Sequence, residues 1–125
     1  MGYTVGDLLI VGRDRYQMEL IAGENGWANS ISWMLMVEDT TICQDFKGKE
    51  LAVTTGLGFQ TEEKQLELVS ILDEKHAAGL IINTGFYIKD IPKSVIDFCN
   101  ERDLPLITSP WNIIMRDMIK DMTGR

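Results

Sequence analysis

The chain has 125 residues, 45% hydrophobic and 25% charged, with 19 acidic against 12 basic residues and a formal net charge of −7. That length supports one domain that buries roughly two-thirds of its unfolded surface, and an acidic chain with no concentration of Lys and Arg is a poor candidate for gripping DNA or RNA. No apolar run approaches the ~18 residues of a membrane span, and Met1-Gly2-Tyr3-Thr4 does not read as a signal peptide. Cys43 and Cys99 lack a CxxC spacing, so a cytoplasmic protein with reduced, packed thiols is expected.

In chain order, Thr4-Val5-Gly6-Asp7 fits a capping box ahead of Leu8-Leu9-Ile10 and predicts a short helix ended by Gly12. Met18 to Ala22 reads as a strand, closed by the turn cluster Gly23-Glu24-Asn25-Gly26. Ile31 to Val37 reads as a second, mostly buried strand with Trp33 in the core, pairing with the first across the loop that holds Trp27 and Asn29. Glu50 to Thr54 is the third strand. Thr61 caps the next helix, with Glu62 and Glu63 where the helix dipole favours negative charge. Its apolar face runs through Leu66, Leu68, Val69, Ile71, Leu72 and Ala77.

Ala78-Gly79 leads directly into a fourth strand, Leu80 to Ile82. Pro92 suits the first turn of a helix whose inner face carries Val95, Ile96, Phe98 and Cys99. The fifth strand is Leu104 to Ile107, where Pro105 points to an edge position or a strand start. From Asn112 onward, Ile114, Met115, Met118, Ile119 and Met122 form a last amphipathic stripe. The β-α-β-α-β-α order from residue 50 argues for a mainly parallel sheet, and the first two strands add a mixed section. The fold expected is a single small α/β domain with a mixed, mainly parallel sheet of about five strands flanked by helices.

Two segments repeat one pattern. Leu51-Ala52-Val53-Thr54-Thr55-Gly56 and Leu80-Ile81-Ile82-Asn83-Thr84-Gly85 are apolar runs broken by Thr-Gly, about one β-loop-α-β unit apart. Leu104-Pro105-Leu106-Ile107 likewise ends in Thr108-Ser109-Pro110. If these strands are parallel neighbours, their polar breaks share the carboxyl edge where open α/β sheets bind ligands. The candidate ligand residues there are Glu38, Asp39, Thr54, Thr55, Gly56, Asn83, Thr84, Gly85 and Thr108, with Trp111 the best-placed aromatic. Glycine admits close backbone approach, while the hydroxyls, amide and carboxylates suit a flat polar heterocycle. The plainer alternative is that Gly56 and Gly85 supply positive φ and the Thr side chains bond their own turns.

His76, the only histidine, sits near a helix carboxyl end beside Lys75, a structural or solvated position. No Cys/His cluster suggests a metal and no GxxxxGK[ST] loop suggests a nucleoside triphosphate, so neither cofactor nor metal is expected, and the chain does not read as an enzyme. The Ile114, Met118, Ile119 and Met122 stripe is either packing for the sheet or an interface toward a second copy or a following domain.

Nearly the whole chain resembles the N-terminal domain of the PucR type of bacterial transcriptional regulators, the purine catabolism regulatory protein-like family. The resemblance rests on Tyr3-Thr4-Val5-Gly6-Asp7-Leu8-Leu9, Ala22-Gly23-Glu24-Asn25-Gly26, Ile31-Ser32-Trp33 with Glu38, and Gly48-Lys49-Glu50-Leu51 leading into Thr54-Thr55-Gly56-Leu57. It continues through Ala78-Gly79, Ile91-Pro92, Leu104-Pro105-Leu106 and Pro110-Trp111. A fainter similarity to the HPr kinase N-terminal domain agrees with the α/β fold. The resemblance implies one regulatory domain over residues 1–125, set ahead of a C-terminal helix-turn-helix that this sequence lacks. It implies sensing of a small metabolite, a purine or related nitrogen compound, with DNA reached only through the other domain. The alternative is an oligomerisation or docking module with no small ligand, a homodimer being the simplest case.

Overall fold

A computed structural model of the chain describes residues 3–111. The elements are β1 (Tyr3–Thr4), α1 (Val5–Tyr16), β2 (Glu19–Ala22), β3 (Ser30–Ile31), β4 (Trp33–Met36), β5 (Glu50–Thr54), α2 (Glu62–Glu74), β6 (Gly79–Thr84), α3 (Lys93–Glu101) and β7 (Leu106–Pro110). Short 3₁₀ turns occupy Glu24–Gly26 and Ile42–Asp45. Five strands form one sheet in the order β2-β7-β6-β5-β4, and β1 and β3 form a separate two-stranded ribbon. Strands β4, β5, β6 and β7 are mutually parallel, while β2 runs antiparallel to β7. The expected mixed, mainly parallel five-stranded α/β domain is the observed fold.

Side-chain alternation along the strands explains the two cores. Ala52, Leu80, Ile82 and Leu106 face α2 and α3, meeting Leu68, Val69, Leu72, Val95 and Cys99. Leu51, Val53, Ile81 and Ile107 face the other way onto Val5, Leu8 and Leu9 of α1. Each such fully buried aliphatic side chain contributes about 1.5–3 kcal/mol relative to exposure. The sheet is therefore covered on both faces, as its near-continuous apolar central strands require. Cys43 and Cys99 are unpaired and buried within the α2/α3 core. Among the described residues no helix is long and apolar enough to cross a membrane.

Several expectations are corrected. Helix α1 starts at the predicted capping box, with the Asp7 N–H donating to Thr4 Oγ1 at 3.1 Å and the Thr4 N–H to Asp7 Oδ2 at 3.0 Å. It does not stop at Gly12. The bare Cα of Gly12 makes room for the Met18 side chain, and the helix ends at Gln17 in the left-handed region (φ 52), with the Met18 N–H closing on the Gly12 carbonyl at 3.1 Å.

The first long strand does not pair with Ile31–Val37 either. Gly23 abuts the Leu104 carbonyl where any Cβ would overlap it, and its N–H donates to Asn100 Oδ1 at 2.8 Å. This seats β2 beside β7. The following loop is tied to α1 by Val5 N–H to Asn29 O and Gly6 N–H to Trp27 O, both 2.9 Å. It delivers β4 to the opposite edge.

The Ile31–Val37 run is itself broken at Ser32, giving β3 and β4. As an edge strand β4 leaves Trp33 65% exposed, so Trp33 is not core. The fifth strand is shifted from the expected Leu104–Ile107 to Leu106–Pro110, so Thr108-Ser109-Pro110 is the second half of β7 and not a break after it. Pro105 precedes the strand, its carbonyl accepting the Leu80 N–H at 2.9 Å. The stripe Ile114, Met118, Ile119 and Met122 lies outside the described residues.

Candidate functional site

Because β4, β5, β6 and β7 are parallel, the breaks after them lie on one rim, and the antiparallel β2 begins there too. The rim divides into a closed half and an open half.

The closed half lies over β4 and β5. Glu38, half-buried, accepts from Thr54 Oγ1 at 3.0 Å through Oε1, and from the Thr55 N–H at 2.9 Å and Thr55 Oγ1 at 2.8 Å through Oε2. Thr54 Oγ1 in turn accepts the Gly56 N–H at 3.1 Å. Asp39 caps its own turn by accepting the Thr41 N–H at 2.7 Å. Gly56 has φ +93, and a Cβ there would lie 2.8 Å from Ile88 Cδ1 and Cγ1, so Ile88 fills the space above it. The strand-loop-helix turn after β5 thus resembles an anion cradle whose occupant is the chain's own Glu38 carboxylate. Glu38, Asp39, Thr54, Thr55 and Gly56 spend their hydrogen-bonding capacity largely on one another and on their turns.

Over β6 and β7 the residues part company. Asn83 is buried, and its Nδ2 donates to the Ser109 and Pro110 carbonyls at 2.9 and 2.8 Å, tying the two strand ends together. Ser109 Oγ donates to the Tyr16 carbonyl at 2.8 Å and locks the end of α1 onto β7. Gly85 (φ +113) begins a turn closed by its N–H to the Ile88 carbonyl at 2.8 Å. Thr84 and Thr108 instead line an open hollow of about 460 Å³, together with Arg13, Gln17, Met18, Glu19 and Pro110. Neither threonine hydroxyl, nor the Glu19 carboxylate, has a hydrogen-bond partner among the described residues.

Trp111 follows β7, 37% exposed, with its N–H donating to the Thr84 carbonyl at 2.8 Å. Its ring clusters with Phe86 and Tyr87, centroids 4.9 and 5.6 Å away. Phe86 is 58% exposed. Sequence reading did not single out Phe86, Tyr87, Arg13, Gln17 or Glu19. The two aromatics were visible directly after the second Thr-Gly, whereas the others become rim residues only once β2 is known to pair with β7.

His76 lies at the opposite rim, where the parallel strands begin. It takes a left-handed conformation (φ 59) just after α2 and borders a second hollow, of about 340 Å³, with Lys49, Asp73, Arg102 and Asp103. There Arg102 and Asp73 pair at 3.2 Å across the ends of α3 and α2. Such positive side chains complement the carboxyl ends of helices. Among the described residues no group of three or more His, Cys, Asp and Glu could hold a metal ion.

Comparison with known sequences matches residues 10–125 to the PucR family, described as the purine catabolism regulatory protein-like family. The chain belongs to this family. A Bacillus subtilis (strain 168) relative, "Purine catabolism regulatory protein", is 32% identical over 101 residues, which is 80% of this chain. The matched region is 19% of that relative, so the chain spans about a fifth of its length. Among the described residues, the Thr84/Thr108 hollow is a part of the rim with room and with unspent polar groups.

Proposed function

We propose that this chain is the signal-input domain, residues 1–125, of a bacterial transcriptional regulator of purine or related nitrogen catabolism. In this reading a small metabolite binds at the strand-end rim, and the domain acts on a DNA-binding domain carried elsewhere in the regulator. The observation that carries the reading is the family match over residues 10–125. The hollow bounded by Thr84 and Thr108 supports a ligand, since about 460 Å³ suits a small heterocycle. The net charge of −7 supports leaving DNA contact to another domain, and the protein works in the cytoplasm without catalysing a reaction. A bound metabolite shifts the regulator only by its difference in affinity between two arrangements. Calorimetry of the domain against purines and ureides tests the reading: saturable heat from at least one compound is expected, and silence across the panel removes it.

A second reading, an oligomerisation module, is favoured by one observation. Met36, Leu57, Phe86 and Trp111, at or just after four neighbouring strand ends, are all exposed. Under this reading the domain sediments as a dimer without ligand, and Met118→Glu or Met122→Glu gives monomers. A monomeric unmodified domain rules it out.

A further inference from the structure

We infer that Glu19, at the start of β2, is the residue that selects the ligand, and that it selects neutral molecules with an N–H edge over anions. The inference rests on the sensor reading above and names the chemistry of its site.

Ile82 belongs to the α2/α3 core, so Thr84, two residues on, shares its face of the sheet. Thr108 is the partner of Ile82 across β6 and β7, and Glu19 is the partner of Thr108 across β7 and β2. Directly paired residues project to the same side. Glu19, Thr108 and Thr84 therefore form one polar row on one face, and all three border the same hollow. Their side chains carry no hydrogen bond or ion pair among the described residues, in contrast to the saturated group around Glu38.

The other charge at the hollow is Arg13. Its guanidinium reaches back along α1 to lie 5.9 Å from the centroid of Trp27, the ring that packs on Gly6 in the first turn of that helix. The carboxylate at the hollow is that of Glu19, an acceptor without donors of its own. Beside it stand two hydroxyls that donate or accept and the Gln17 amide, held at the corner by a left-handed backbone (φ 52). This set matches a planar ring edge alternating N–H and C=O. A carboxylate or phosphate set against the Glu19 carboxylate would face like charge, while the Arg13 guanidinium lies over the Trp27 ring.

Calorimetry of the chain at neutral pH, with hypoxanthine and allantoin as neutral probes and urate and orotate as anionic ones, tests this. The neutral probes should bind more tightly than the anions. Glu19→Gln should weaken the best neutral probe by about tenfold, roughly the worth of one charge-assisted hydrogen bond. Thr108→Val should weaken it by a smaller factor, with both variants melting like the unmodified protein. Neutral binding that Glu19→Gln changes by less than about twofold, or tighter binding of the anions, overturns the role of Glu19 and leaves the sensor reading standing. No binding by any probe removes both.

Discussion

Replacing Glu38 by alanine asks whether the closed half of the rim is structural. Its carboxylate receives three hydrogen bonds, at 3.0, 2.9 and 2.8 Å, from Thr54 Oγ1, the Thr55 N–H and Thr55 Oγ1. Hydrogen bonds to a charged acceptor contribute about 1.5–3 kcal/mol each when buried. Glu38 is only half-buried, and the Thr55 hydroxyl can turn toward water, so the sum is much reduced. Thr54, however, is fully buried, and without Glu38 its hydroxyl has no such acceptor. The expected loss is about 2–3 kcal/mol, which for a domain of this size lowers Tm by about 8–12 °C. Glu38→Gln keeps one acceptor oxygen and should lose about half as much. Urea denaturation followed by circular dichroism measures both. A loss below about 0.5 kcal/mol for Glu38→Ala would show that the clasp does not hold the β4 and β5 ends together.

Gly56→Ala should cost about 2–4 kcal/mol, because φ +93 disfavours a side chain and the new Cβ meets Ile88 at 2.8 Å. Adding Ile88→Ala removes the clash but not the backbone strain, so the double variant should be less destabilised than the sum of the single ones. Ser109→Ala should lose about 1–2 kcal/mol in chemical denaturation, since it leaves the buried end of α1 without the 2.8 Å bond to the Tyr16 carbonyl. Burial pushes the Cys43 thiol up to about 11, with Asp39 and Glu50 adding to the shift, and burial with help from Asp73 pushes Cys99 up to about 12. Unfolded thiols ionise near 9.0, so their contribution to stability is intact below that pH and is lost as pH rises through 11 to 12. The urea midpoint should fall over that window, and less steeply in a Cys43→Ala/Cys99→Ala variant.

The β5-α2-β6-α3-β7 portion was legible because its signals are local. Thr61 caps α2 by accepting the Lys64 N–H at 3.2 Å, and Leu68, Val69 and Leu72 repeat at helical spacing. What was not legible depends on partners distant in sequence. An apolar strand such as Trp33–Met36 reads the same at an edge as at the centre, and only the strand order exposes Trp33. Gly12 resembled a stop signal, yet its role is to admit Met18. The β2 partner was hidden because it depends on Gly23 approaching the Leu104 carbonyl, a tertiary contact with no local signature. The same holds at the rim. The Thr-Gly repeats foretold a common edge, but not that Glu38 would turn inward to fill the β5 end, nor that Glu19 would arrive from the first third of the chain.

The Ser109–Tyr16 bond joins residues 93 positions apart in sequence, and the β2–β7 seam it accompanies brings together the first and last described parts of the fold. Loop closure over such a distance makes this seam slow to form. A small molecule seated between Glu19 and Thr108 would act as a non-covalent staple across it. Ligand occupancy would then register as slower hydrogen exchange along β2, β7 and α1 together, so that the metabolite reports on the integrity of the whole domain and not on one loop.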